Sequence, residues 1–139
     1  MKKSKLLLGA FCSLLAVVSQ AEVVVVAHAK SEISAVTNDQ LKDLFLGKSS
    51  KIGATEVRPV NLSDSSPIKM EFDEKVVGKD ANKMKAYWSN RIFTGQGKPL
   101  DQVDNEAAMI EWLGNNQNGI GYMSAGAVNN KVKVLLTVP

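Results

Sequence analysis

The chain has 139 residues, a length that predicts one domain with a packed core. Its 17 basic and 14 acidic residues give a formal net charge of +3. Three of the lysines (Lys2, Lys3 and Lys5) sit in an N-terminal leader, which leaves the remainder balanced at 14 of each sign and without a basic footprint for nucleic acid. The single cysteine, Cys12, also lies in that leader, so the rest of the chain has no disulfide, iron–sulfur or thiolate-zinc site.

The leader is Met1 to Ala21. Its lysines form a positive start, Leu6 to Val18 is apolar and uncharged, and Ser19-Gln20-Ala21 puts small residues where a signal peptidase reads. The apolar run is shorter than the roughly 20 residues a membrane span needs. Residues 1–21 therefore read as a secretory signal peptide and residues 22–139 as one domain, with no membrane span after cleavage. A lipid anchor on Cys12 is disfavoured by Phe11, where a small residue is required.

Four consecutive valines, Val23 to Val26, predict a strand covered on both faces. Ser31 to Val36 reads as loop. Thr37 and Gln40 have capping-box spacing, with Leu41, Leu44 and Phe45 on one helical face and Gly47 to end the helix. Lys48 to Thr55 reads as a polar turn and Glu56 to Leu62 as a second strand. Pro67 suits a first helical turn; Ile68, Phe72 and Val76 follow at four-residue spacing, and Gly78 closes that helix. Asp80 caps a helix carrying Met84, Trp88 and Ile92. After a loop at Gly95 to Pro99, Asp104 is expected to cap a helix carrying Ala107, Ile110, Trp112 and Leu113. Gly119 to Met123 and Lys131 to Val138 read as strands. Alternating strands and helices predict an α/β protein, a three-layer α/β sandwich around a small mixed sheet.

The stretch Val60 to Ile68 carries the most chemistry. A strand enters a hydroxyl-rich turn, Ser63-Asp64-Ser65-Ser66, that opens a helix. Open sheets bind ligands beyond the carboxyl ends of their strands, and a helix N-terminus offers unpaired N–H groups to an oxyanion. Ser65 and Ser66 add O–H donors; Asp64 accepts a hydrogen bond from a protonated oxyanion and repels a fully ionised one. The plainer reading is that Asp64, Ser65 or Ser66 only caps the helix.

Leu41 to Lys48, Val60 to Ser66 and Gly119-Ile120-Gly121-Tyr122-Met123, in that order, resemble the phosphate-type periplasmic substrate-binding proteins of ABC transporters. Those proteins carry a helix ending in Phe/Tyr-Leu-Gly-Lys, a strand leading to Arg-Ala-Asp-Gly-Ser-Gly-Thr, and a late Gly-Ala-Ile-Gly-Tyr-Val. The resemblance implies one lobe of a type II periplasmic binding protein, a periplasmic location, a small phosphate-like oxyanion as ligand, and no catalysis or cofactor. On the family's anion turn, Asp64 and Ser66 match its Asp and Ser. Leu62 stands where the family has Arg, Ser65 and Pro67 where it has Gly, and Ile68 where it has Thr. The implied ligand-binding residues are Asp64, Ser65, Ser66 and Ile68. The alternative is an envelope interaction protein that keeps the fold without the ligand and docks on a partner or on its own copy.

Elsewhere the side chains read as structural. His28 is the only histidine and has no partner for catalysis or metal binding. Asp73 and Glu74 read as a solvated face, as do Lys79, Lys83 and Lys85. Asp101, Asp104 and Glu106 form a mild acidic cluster suited to capping. Trp88 and Trp112 have core spacing.

Overall fold

The computed structural model describes residues 22–139. The expected leader, its expected cleavage site and Cys12 lie outside the described residues. No described helix is long and apolar enough to cross a membrane.

The valine run forms β1 (Val23–His28), and its first five residues are at most 3% exposed. α1 (Asn38–Phe45) follows a complete capping box. Thr37 Oγ1 accepts the Gln40 N–H at 3.2 Å, and Gln40 Oε1 accepts the Thr37 N–H at 2.9 Å. Gly47, just past the helix, takes φ +70°, where a β-carbon is strained.

The segment expected as a polar turn contains a small hairpin, β2 (Lys51–Ile52) with β3 (Thr55–Glu56). Glu56 belongs to it, so the second long strand, β4 (Arg58–Leu62), starts two residues later than expected. Pro67 opens α2 (Pro67–Phe72), which widens into one π-type turn, Asp73–Val77, ended by Gly78 at φ +79°. α3 (Ala81–Phe93) is capped by Asp80, whose Oδ1 accepts the Lys83 N–H at 2.9 Å.

A strand not foreseen, β5 (Asp101–Val103), then pairs with β4. α4 (Glu106–Asn115) is capped by Asn105 rather than Asp104, because the helix begins one residue later; Asn105 Oδ1 accepts the Ala108 N–H at 2.8 Å. The acidic cluster is dispersed among separate tasks. Asp101 pairs with Arg58 at 2.9 Å. Glu106 accepts the backbone N–H and the hydroxyl of Ser124 at 2.9 and 2.6 Å, tying α4 to the end of β6 (Gly119–Ser124). β7 (Val132–Thr137) completes the sheet.

The strand order is β5-β4-β6-β1-β7. β4 runs parallel to β5 and β6, while β1 is antiparallel to β6 and β7, so the sheet is mixed. Helices cover both faces, as the three-layer expectation requires. On one face Tyr122 stacks on Phe72 with centroids 4.0 Å apart, and Phe45 meets both rings edge-on. Each fully buried ring of this kind stabilises by about 1.5–3 kcal/mol. On the other face Met109 and Leu113 of α4 reach the sheet over glycine; a β-carbon at Gly121 would come within 2.5 Å of Met109 Sδ. Trp88 and Trp112 are half-buried against this core.

Candidate functional site

β4 and β5 are parallel neighbours, so their carboxyl ends open on the same side of the sheet. There the chain leaves β4 through Ser63 to Ser66. The turn is closed by the Ser66 N–H on the Ser63 carbonyl at 2.8 Å, and the Ser63 and Ser65 hydroxyls bond each other at 3.1 Å. Between this turn, α2, α3 and β5 lies a cavity of about 520 Å³.

Its polar wall holds Asn61, Asp64, Lys69, Asp73, Lys85 and Gln102. Lys69 is 8% exposed and Asp73 only 3%, and the Lys69 ammonium donates to Asp73 Oδ2 at 2.6 Å. The same ammonium lies 3.7 Å from Asp64 Oδ1 at the open rim. Gln102 Nε2 donates to the Leu62 carbonyl at 3.0 Å and to Asp64 Oδ1 at 3.3 Å, holding the turn to β5. Asn61 is fixed from behind, where its Oδ1 accepts the Tyr122 hydroxyl at 2.9 Å; that hydroxyl in turn accepts the Leu62 N–H at 3.2 Å. Burial pushes the Tyr122 phenol well above its ordinary range.

Asp73 corrects the expectation of a solvated face. Phe72 and Val76 are buried as their spacing requires, but so is the next stripe, Lys69, Asp73 and Val77. Met84 and Trp88 of α3 share the cavity with Lys69 and Asp73 and help shut them away from water. Burial raises the Asp73 carboxyl above its usual range, and the hydrogen bond from Lys69 opposes that rise. Glu74, one residue on, is exposed.

Of the four residues singled out in sequence, Asp64 lines the cavity. Ser65 is exposed on the turn. Ser66 caps α2, its Oγ accepting the Lys69 N–H at 3.4 Å, and Ile68 leans on the core. Sequence reasoning missed Lys69, Asp73, Gln102 and Asn61. A Lys–Asp pair four residues apart is a legible helix-surface signal. Gln102 had none, since three residues of edge strand show no alternation. His28 ends β1, and its Nδ1 accepts the Lys30 N–H at 2.9 Å. Among the described residues, no three His, Cys, Asp or Glu side chains gather to hold a metal.

The fold is that of a single lobe of the periplasmic binding proteins. Solved structures that share it include a candidate phosphate ABC transporter substrate-binding protein from Clostridium perfringens, solved with bound phosphate. That match has a TM-score of 0.65 and 20% identity over 82% of this chain and 44% of that one. An ABC-type phosphate transport receptor from Vibrio cholerae matches with TM-score 0.64 and 16% identity over 82% of this chain and 45% of the receptor. PstS from Borrelia burgdorferi matches with TM-score 0.60 and 14% identity over 82% and 46% of the two chains. The chain thus spans less than half the length of each. No family model matches the sequence, and no curated protein is detectably similar to it.

Proposed function

We propose that this chain is a non-enzymatic, single-lobe solute-binding module for a small phosphate-like oxyanion. The observation that carries the reading is the cavity at the carboxyl ends of β4 and β5, with a buried ammonium in its wall, in a fold shared with phosphate receptors. The ligand is placed at the rim, against the turn. Asp64 accepts a hydrogen bond from its protonated oxygen, and the Ser65 and Ser66 hydroxyls donate hydrogen bonds. Ile68 offers a backbone N–H from the first turn of α2, where an intrahelical acceptor is lacking. Leu62 cannot supply the paired donors of an arginine, so affinity is expected to be modest. Titration calorimetry with phosphate, arsenate and sulfate tests this. Heat with the first two and little with sulfate is expected, and Asp64→Ala should erase the difference. No heat with phosphate at millimolar concentration ends the reading.

The signal-like leader supports a periplasmic location, which cell fractionation checks. A docking role on an envelope protein or on a second copy draws on one observation: Phe93, at the end of α3, is 91% exposed, with Ile92 beside it at 47%. A strictly monomeric protein in sedimentation, with no envelope partner recovered by cross-linking, counts against it.

A further inference from the structure

On the far side of Trp88 lies a second hollow, of about 340 Å³, whose charges are all of one sign. It is lined by Lys48, Arg91 and Lys98 and by no carboxylate; Asp43 and Glu56, the acids nearest Lys48 in sequence, stand outside it. Among the described residues, none of the three cations has a carboxylate within 4.0 Å. Three cations facing one hollow repel one another, and no carboxylate among the described residues offsets that repulsion.

The hollow is built by Arg91. Its Nη2 donates to the Gly47 carbonyl at 3.0 Å and to the Gln96 carbonyl at 3.2 Å, clamping together the two loops that carry Lys48 and Lys98. Glycine favours the close approach of both loops. A β-carbon at Gly47 would stand 2.9 Å from the Trp88 ring, and one at Gly97 would stand 3.1 Å from Arg91 Nε. The guanidinium lies over Tyr87 and Trp88, and its buried Nε–H has no acceptor among the described residues. The rest of the wall is Leu44, Pro59, Trp88 and Leu100, with Ser49 and Ser50 at the edge.

We propose that this hollow is a binding site for an organic phosphomonoester: a dianionic phosphoryl head on a small carbon body. The head carries about −1.5 to −2 charges at pH 7, which three cations without acids match. A cavity at the lower end of the roughly 300–1,000 Å³ range of ligand sites has room for more than an inorganic ion, and its apolar wall faces the carbon body. The site does not involve the Asp64 turn, so the two readings stand or fall separately.

The test is residue-resolved. Nitrogen–proton correlation spectra of the full chain are followed while glucose 6-phosphate, glucose or inorganic phosphate is added. Glucose 6-phosphate is expected to shift the amides of Gly47, Ser50 and Gly97 and leave Asp64 and Ser65 in place, while glucose shifts nothing. The exposed double variant Lys48→Ala with Lys98→Ala should weaken the binding roughly tenfold or more. Asp64→Ala should leave it unchanged. A parallel arm sediments the protein with vesicles containing phosphatidic acid. Binding to these alone assigns the head group to a lipid, and binding to the sugar phosphate assigns it to a soluble ester. The proposal is overturned if neither arm binds, if inorganic phosphate shifts the same amides as strongly, or if the double variant binds as well as the parent.

Discussion

The two hollows share Trp88 and Leu100 as a wall but handle charge in opposite ways. In the larger one, Lys69 and Lys85 are matched by Asp64 and Asp73, and the deepest pair is bonded at 2.6 Å. In the smaller one, Lys48, Arg91 and Lys98 face no acid among the described residues. Burial accounts for the difference. An ion taken out of water must be paired or it destabilises the fold, whereas lysines left at the surface are solvated whether or not a partner stands nearby. The charges of the larger hollow therefore belong first to the structure. In the smaller hollow only Arg91 has such a duty, as the clamp on the Gly47 and Gln96 carbonyls; Lys48 and Lys98 are free of it.

The largest test of this contrast is Asp73→Ala. It leaves the buried Lys69 ammonium with only the exposed Asp64 carboxylate, 3.7 Å away, and a loss of about 3 kcal/mol in urea unfolding is expected. Replacing the pair together, Lys69→Met with Asp73→Leu, should recover most of that loss, because burial rather than ionic attraction holds this region. If the single variant is as stable as the parent, the pair is not structural and the contrast fails.

A smaller effect lies in pH dependence. Burial holds the Asp73 carboxyl above its ordinary value of 3.8, so between that value and the native one the folded chain binds more protons than the unfolded chain. The stability contributed by Asp73 is complete below the ordinary value and is lost as pH rises through the raised one. Denaturation curves across the acid range should show this component in the parent and not in the double replacement. Smallest of all, Lys48→Ala with Lys98→Ala should leave stability within about 0.5 kcal/mol of the parent, since exposed side chains without partners contribute little.

What could be read from the sequence follows the same line between local and tertiary causes. The capping box at Thr37, the proline at the start of α2, the caps at Gly78 and Asp80, and the valine run of β1 are local devices, and each was visible. The hairpin and β5 are too short to carry a pattern, and β5 exists because β4 offers it an edge. Asp73 misled because a charged residue beside an apolar stripe normally faces water; here that face turns to the Lys69 ammonium and the cavity wall. The turn at Asp64 could be located, but not which of its side chains meets the cavity. That depends on Lys69 and Gln102, which come to it from a helix turn and a strand with no motif of their own.

The position of β1 has a consequence for how the molecule comes into being. The first strand of the domain lies between the last two, β6 and β7. A ribosome therefore releases an almost wholly apolar segment long before either neighbour exists, and that strand stays unpaired on one side until Val132–Thr137 emerges. Contacts so distant in sequence form slowly. A chain cut short before Val132 would keep one side of Val23–His28 bare, a ready template for another copy's strand to add onto.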